Sequence, residues 1–398
     1  MAAQISHILA GEEALRLADP SLAGELLADE AENGCGQADA AWFRLGCQGP
    51  DIFYHNQRTK PSGLHYGSLA HRRNYGLIVE GALESLLGDK AELRDGAAAP
   101  GGELRLGPGA AYLLGFATHA ALDRATHPFI VYFSGWAKPG DVSSARYRGC
   151  HPFLERVLDL ALLAELRGLG PADFDLEALL PLEGRGGQAE AATAAIVRLL
   201  VAGLQKAFPR AAASDFLLAR RIENALSDAR YFFRATNPAR TAGARADYFA
   251  YLDDRAGPKS IALVYPEALP AGVDFLNRAR RPWRHPAGDG RASDLDYAAL
   301  YLRGAEEGAR AIGLVLAALR SGGPPNGLAA FIGNGGLSIA DEAGIPLPPL
   351  VSDPLPLPEL MDAEFKTRLE LARRSLGGSS PAAPPPPIPA LPPESSFD

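Results

Sequence analysis

The 398-residue chain carries a formal net charge of −8, a pI near 5.6 and a 47% hydrophobic composition. This composition supports a large buried core in one or two domains, and it argues against a general nucleic-acid binder, which would show a basic surface. Cys35, Cys47 and Cys150 form an odd set without CxxC spacing, which suggests neither a disulfide framework nor a zinc ribbon and fits a reducing compartment.

Residues 1–27 read as a first helix, with Ile5, Ile8, Leu9, Leu15 and Leu17 as apolar positions and His7 among them. The segment lacks a basic n-region and meets Glu12 and Glu13 too early for a signal-peptide core. No uninterrupted apolar run reaches membrane-spanning length, so the expectation is a cytoplasmic protein without a transmembrane segment. A short helix is expected to end at Gly46. Asp51 follows the Gly49-Pro50 turn, and its neighbours Ile52, Phe53 and Tyr54 would bury the carboxylate more than a turn residue needs.

Residues 61–87 read as a loop followed by a helix bearing His65 and His71. Arg72 and Arg73 directly follow His71, a poor setting for a cation, so His65 is the expected ligand and His71 the expected surface residue. A Gly- and Pro-rich loop over 95–109 precedes residues 110–130, which read as a buried helix whose one polar strip is His119, Asp123 and His127. Steps of four place the three side chains within an arc of about 80°. His119 and His127 are nonetheless about 12 Å apart along the axis, too far to share one ion through bonds of about 2 Å. The strip therefore reads as two adjacent metal positions with a carboxylate between them.

The pattern recurs at His151 and Glu155, with Pro152 in the first turn of its helix, where a missing N–H costs little. Histidine placement agrees: His7, His55, His65, His71, His119, His127 and His151 lie in the first 151 residues, and only His285, expected to be structural, lies beyond. Helical periodicity continues at 191–208, 213–236 and 294–319 without a convincing alternating run, so the fold class is all-α. Residues 1–345 form the expected helical domain, with a metal core at 1–165 and a helical extension at 166–345. Residues 346–398 are expected to be a Pro-rich linker, an isolated helix near 358–375 and a disordered tail.

Taken in order, SHILAGEEAL, LGCQGPDIFY, the Leu64-His65 pair, AYLLGFATHAALDRATHPFI and HPFLE resemble the zinc-dependent phospholipase C domain family, whose fold group includes the S1/P1-type nucleases. The resemblance implies a multi-helical domain holding up to three zinc ions at the bottom of a cleft, where activated water attacks the phosphorus of a phosphodiester. Carried over by position, Asp51, His65, His119 and Asp123 resemble the ligands of one zinc, and His127, His151 and Glu155 those of a second. Asp123 would also bridge to a third zinc bound by His7, and Asp51 resembles the carboxylate that orients or deprotonates the attacking water. His7 is preceded by MAAQIS rather than the processed Trp of secreted members, so two or three zinc ions are expected.

The implied substrate is a phosphodiester, with a phospholipid head group first and a nucleotide or nucleic acid on the same scaffold second. Few basic residues flank the motifs, so no stable nucleic-acid complex is expected. A third reading is a metal-stabilised helical scaffold that binds a partner with little turnover. Oligomeric state is left open.

Overall fold

Apolar residues at helical spacing run through most of the chain, and helices form there. In the computed structural model, which describes residues 4–27, 36–89, 106–181, 187–241, 258–323 and 327–376, the described strands are a two-residue antiparallel pair, Trp283–Arg284 and Ala292–Ser293. The described chain is thus mostly helical. The expected Pro-rich tail at 377–398, most of the expected loop at 95–109 and Cys35 lie outside the described residues.

The helices that carry the site are α1 (Gln4–Ala18), α2 (Pro20–Leu27), α3 (Gly36–Cys47), α4 (Leu64–Arg72), α5 (Tyr75–Leu87), α6 (Pro108–Ser134) and α7 (Cys150–Arg167). The single helix expected over 1–27 is two. Pro20 opens α2, and the Asp19 carboxylate accepts from Leu22 N at 3.0 Å, so the chain restarts with its own cap. The helix expected within 61–87 is likewise divided, because Asn74 adopts a left-handed conformation with φ 64° between α4 and α5.

Helix α6 is the axis of the fold. It is 27 residues long and buried on almost every side, wedged between α3 and the helix Tyr297–Ser321. Glycine permits the first contact at backbone range: a Cβ at Gly46 would run into the Tyr112 carbonyl, and one at Gly115 into the Phe43 carbonyl. One apolar cluster extends from Ile5 to Phe365. The C-terminal helix Leu357–Leu376 belongs to it and does not stand alone, because Leu357, Met361 and Phe365 make a buried stripe at steps of four. Met361 Sδ lies 3.9 Å from Cys150 Sγ on α7.

A strap at 332–337 crosses the middle of α6. Arg124 donates from Nε to Gly336 O and from Nη2 to Gly333 O and Gly335 O, each at 3.2 Å, and from Nη1 to Ile332 O. The strap also fastens the junction of α4 and α5: Leu337 N donates to His71 O at 2.8 Å, and Asn74 N to Asn334 O at 2.9 Å. Among the described residues, no helix is long and apolar enough to cross a membrane.

Candidate metal centre

Four helices and one turn converge on Asp123, which α6 holds at 1% exposure. Its Oδ1 lies 3.2 Å from His7 Nε2 on α1 and 3.4 Å from His127 Nε2 on α6. Its Oδ2 lies 3.1 Å from His119 Nε2, also on α6, and 3.8 Å from His71 Nε2 on α4. The strip at steps of four is therefore real, and its carboxylate faces a different imidazole from each oxygen. The His7 and His119 rings stack at 4.2 Å with an interplanar angle of 13°.

The 3₁₀ turn Gly49–Phe53 delivers Asp51, whose Oδ1 lies 2.9 Å from His71 Nε2. On the other side, the first turn of α7 delivers His151 and Glu155. His151 Nε2 and Glu155 Oε1 are 3.0 Å apart, and His127 Nε2 is 3.7 Å from the same oxygen. Three ligand triplets result: His7, His119 and Asp123; Asp51, His71 and His119; and His127, His151 and Glu155. Within each, the ligand atoms lie within 4.8 Å of one another.

The expected ligands His7, Asp51, His119, Asp123, His127, His151 and Glu155 are brought together; His65 is not. It is exposed on α4, its ring packed on Tyr66 at 3.9 Å, and His71 takes the inward place. Sequence neighbours on a helix diverge by about 100°, so Arg72 and Arg73 say little about where His71 points. The better signal is phase: Tyr66, Gly67 and Ala70 are buried, and His71 lies one turn beyond Gly67. His71→Ala should therefore lower the uptake of added zinc, the metal the sequence leads one to expect, while His65→Ala should leave uptake unchanged and stability within about 0.5 kcal/mol. Elemental analysis and thermal melts of the two variants check this.

His55 is a packed core histidine, stacked on Phe232 at 3.9 Å and pushed down to about 3 by burial. His285 accepts from Ala287 N at 3.3 Å, in keeping with a structural role. Cys47 and Cys150 are buried.

The buried carboxylates and imidazoles shift one another: burial opposes charge on His119, but Asp123 and Asp51 beside it raise its pKa above the usual imidazole value. Burial opposes ionisation of Asp51, but the contact with His71 and the charges of His71 and His119 hold it well below the usual carboxylate range. Burial is likewise outweighed at Asp123 by His127 and His119, and at Glu155 by His151 and His127, so both stay low. Burial pushes His127 itself down to about 4. Two histidines have fixed tautomers: His71 Nδ1 donates to Gly67 O at 2.8 Å and His119 Nδ1 to Cys47 O at 3.3 Å, which leaves Nε2 facing the site.

Buried polar atoms without hydrogen bonds test whether a cation fits this arrangement. Among the described residues, both ring nitrogens of His127 and Glu155 Oε2 make none although they are enclosed, and Asp123 Oδ2, His119 Nε2 and His71 Nε2 face one another or Asp51. Such groups cost free energy unless something else satisfies them. Imidazoles and carboxylates aimed at shared points are the donor set that zinc takes.

Comparison with family models, with curated proteins and with solved structures finds no match. The site is therefore read from its own chemistry.

Gly49 shows how tightly the centre is built. It has φ 54°, and a Cβ there would collide with the His119 imidazole. Gly49→Ala should lose about 1–2 kcal/mol from backbone strain alone. It should also displace His119, the one histidine shared by two triplets, and so lower zinc content; zinc analysis alongside a denaturant melt measures both.

Proposed function

We propose that this chain is a zinc-dependent phosphodiester hydrolase of the phospholipase C type, holding two or three zinc ions among α1, α4, α6, α7 and the Gly49–Phe53 turn. The observation that carries the reading is Asp123, a buried carboxylate that faces His7, His119, His127 and His71 at once. When bound, zinc supplies Lewis acidity toward a phosphoryl oxygen and lowers the pKa of coordinated water toward about 7. The residues of the chain do the rest. Asp51 stays ionised beside His71, so its carboxylate is the group placed to accept a hydrogen bond from water at that edge and orient it. His71 and His119 donate from Nδ1 to backbone carbonyls, which turns Nε2 of each toward the site. Anionic substrate is compatible with the chain's net charge of −8, because bound cations dominate the local field. A cytoplasmic location is part of the same proposal.

Burial favours a second reading, a metal-stabilised scaffold with little turnover. Asp51 and Asp123 are 1% exposed and His119 0%, while His71 and His151 reach only 11% and 28%. One experiment separates the readings: zinc analysis of the purified protein beside hydrolysis assays on phosphatidylcholine, bis-p-nitrophenyl phosphate and single-stranded DNA. At least two zinc ions per chain with chelator-sensitive hydrolysis of the lipid supports the phospholipase reading. Turnover of DNA instead supports a nuclease, zinc without turnover supports the scaffold, and a chain that takes up no zinc overturns all three.

A further inference from the structure

Helix α7 repeats on its own face the steps-of-four pattern of α6. His151 and Glu155 are followed one turn later by Asp159, which is fully buried and belongs to none of the three ligand triplets. Both of its oxygens are engaged by the start of another helix. Oδ1 accepts from Ser6 N at 2.7 Å and Ser6 Oγ at 2.6 Å; Oδ2 accepts from Ile5 N at 3.0 Å and Tyr265 OH at 2.8 Å. Arg156 Nη1 lies 3.8 Å from Oδ2.

Ile5 and Ser6 lie in the first turn of α1, where backbone N–H groups have no acceptor within their own helix. A carboxylate at that end is also favoured by the helix dipole. Asp159 thus caps α1 from 153 residues away in sequence. The next residue after the capped turn is His7, whose Nε2 must sit beside Asp123 Oδ1 at 3.2 Å. One turn back along α7 from Asp159 is Glu155, a ligand of a different triplet.

We infer that Asp159 is a positioning residue for the metal centre: it locks the first turn of α1 to α7 and so sets where His7 stands relative to Asp123. The helix that supplies His151 and Glu155 thereby also fixes the ligand of a neighbouring metal position. This inference rests on the zinc reading above and goes beyond it, since Asp159 touches no candidate metal.

The test is a zinc titration of the metal-free, full-length chain against a chromophoric chelator. Wild type, Asp159→Asn, His7→Ala and the double variant are compared. Asp159→Asn should weaken one zinc by about 10–100-fold, the range seen when residues that orient ligands are changed, and leave the rest as in wild type. In the His7→Ala background it should add nothing, because its effect passes through His7. A purely stabilising cap would instead weaken every zinc alike, or add fully to His7→Ala, and either result overturns the inference. Ser6→Ala removes only the hydroxyl contact and decides the matter should Asp159→Asn fail to fold. It should weaken the same single zinc, and only when His7 is present; no effect overturns the assignment. Wild type that binds zinc with Asp159→Asn indistinguishable from it defeats the role of Asp159 alone. Wild type that binds none defeats the zinc reading as well.

Discussion

Asp123→Asn should strip more than one zinc from each chain, a larger effect than any other single-ligand change. The substitution keeps the size of the side chain but removes the charge between His7, His119 and His127, with His71 close behind. Cations on either side would then face one another with less compensation. Metal bound only by the folded state adds about 4 kcal/mol per site at a free concentration a thousand times Kd, so losing two sites removes about 8 kcal/mol. His151→Ala is the contrast, because His151 lies at the edge of the cluster, partly exposed and against Glu155, whereas Asp123 faces four histidines, so it should deplete one ion. Zinc per chain and melting temperature, measured on both variants, decide the point. Full zinc content with wild-type activity in Asp123→Asn would mean that the strip on α6 is only a packed polar seam.

Chelation of the wild-type protein should lower its melting temperature by more than about 10 °C, again from two sites at about 4 kcal/mol each. Asp51, Asp123 and Glu155 are buried carboxylates held ionised against the surrounding histidines. Without metal, those histidines must supply all the compensation, and buried atoms such as Glu155 Oε2 lack hydrogen bonds. Calorimetry with and without chelator, followed by zinc add-back, measures the loss and its recovery. An unchanged melting curve would show that the cluster is satisfied by its own hydrogen bonds.

The centre of the site was readable in the sequence because one helix carries it. Periodicity alone orients His119, Asp123 and His127, and rise per residue alone says that the two histidines serve different positions. The same reasoning extended to His151 and Glu155. At α4 the charge of the residues after His71 misleads, because helix phase and not neighbouring charge decides which face turns inward. Local context suggests Asp51, and His7 enters as a ligand only through the family resemblance; the packing that brings them toward Asp123 depends on close approaches such as Gly46 and Gly115, which no local pattern shows. The role of Asp159 and the docking of Leu357–Leu376 are long-range facts of the same kind. The break at Asp19, by contrast, could have been seen, since an acidic residue before proline is a common restart signal.

The strap held by Arg124 bears on where this protein could be cut. Residues 1–165 contain all eight side chains of the three triplets, so an inventory of ligands would suggest a minimal fragment ending after α7. That fragment would lack the helix Tyr297–Ser321 that covers one flank of α6, and it would lack the carbonyls of 332–336 that anchor Arg124, the residue next to Asp123. It would also lose the amide of Leu337 on the His71 carbonyl. The smallest autonomous unit is therefore set by what braces α6, and it reaches at least to the strap, about twice as far along the chain as the last ligand.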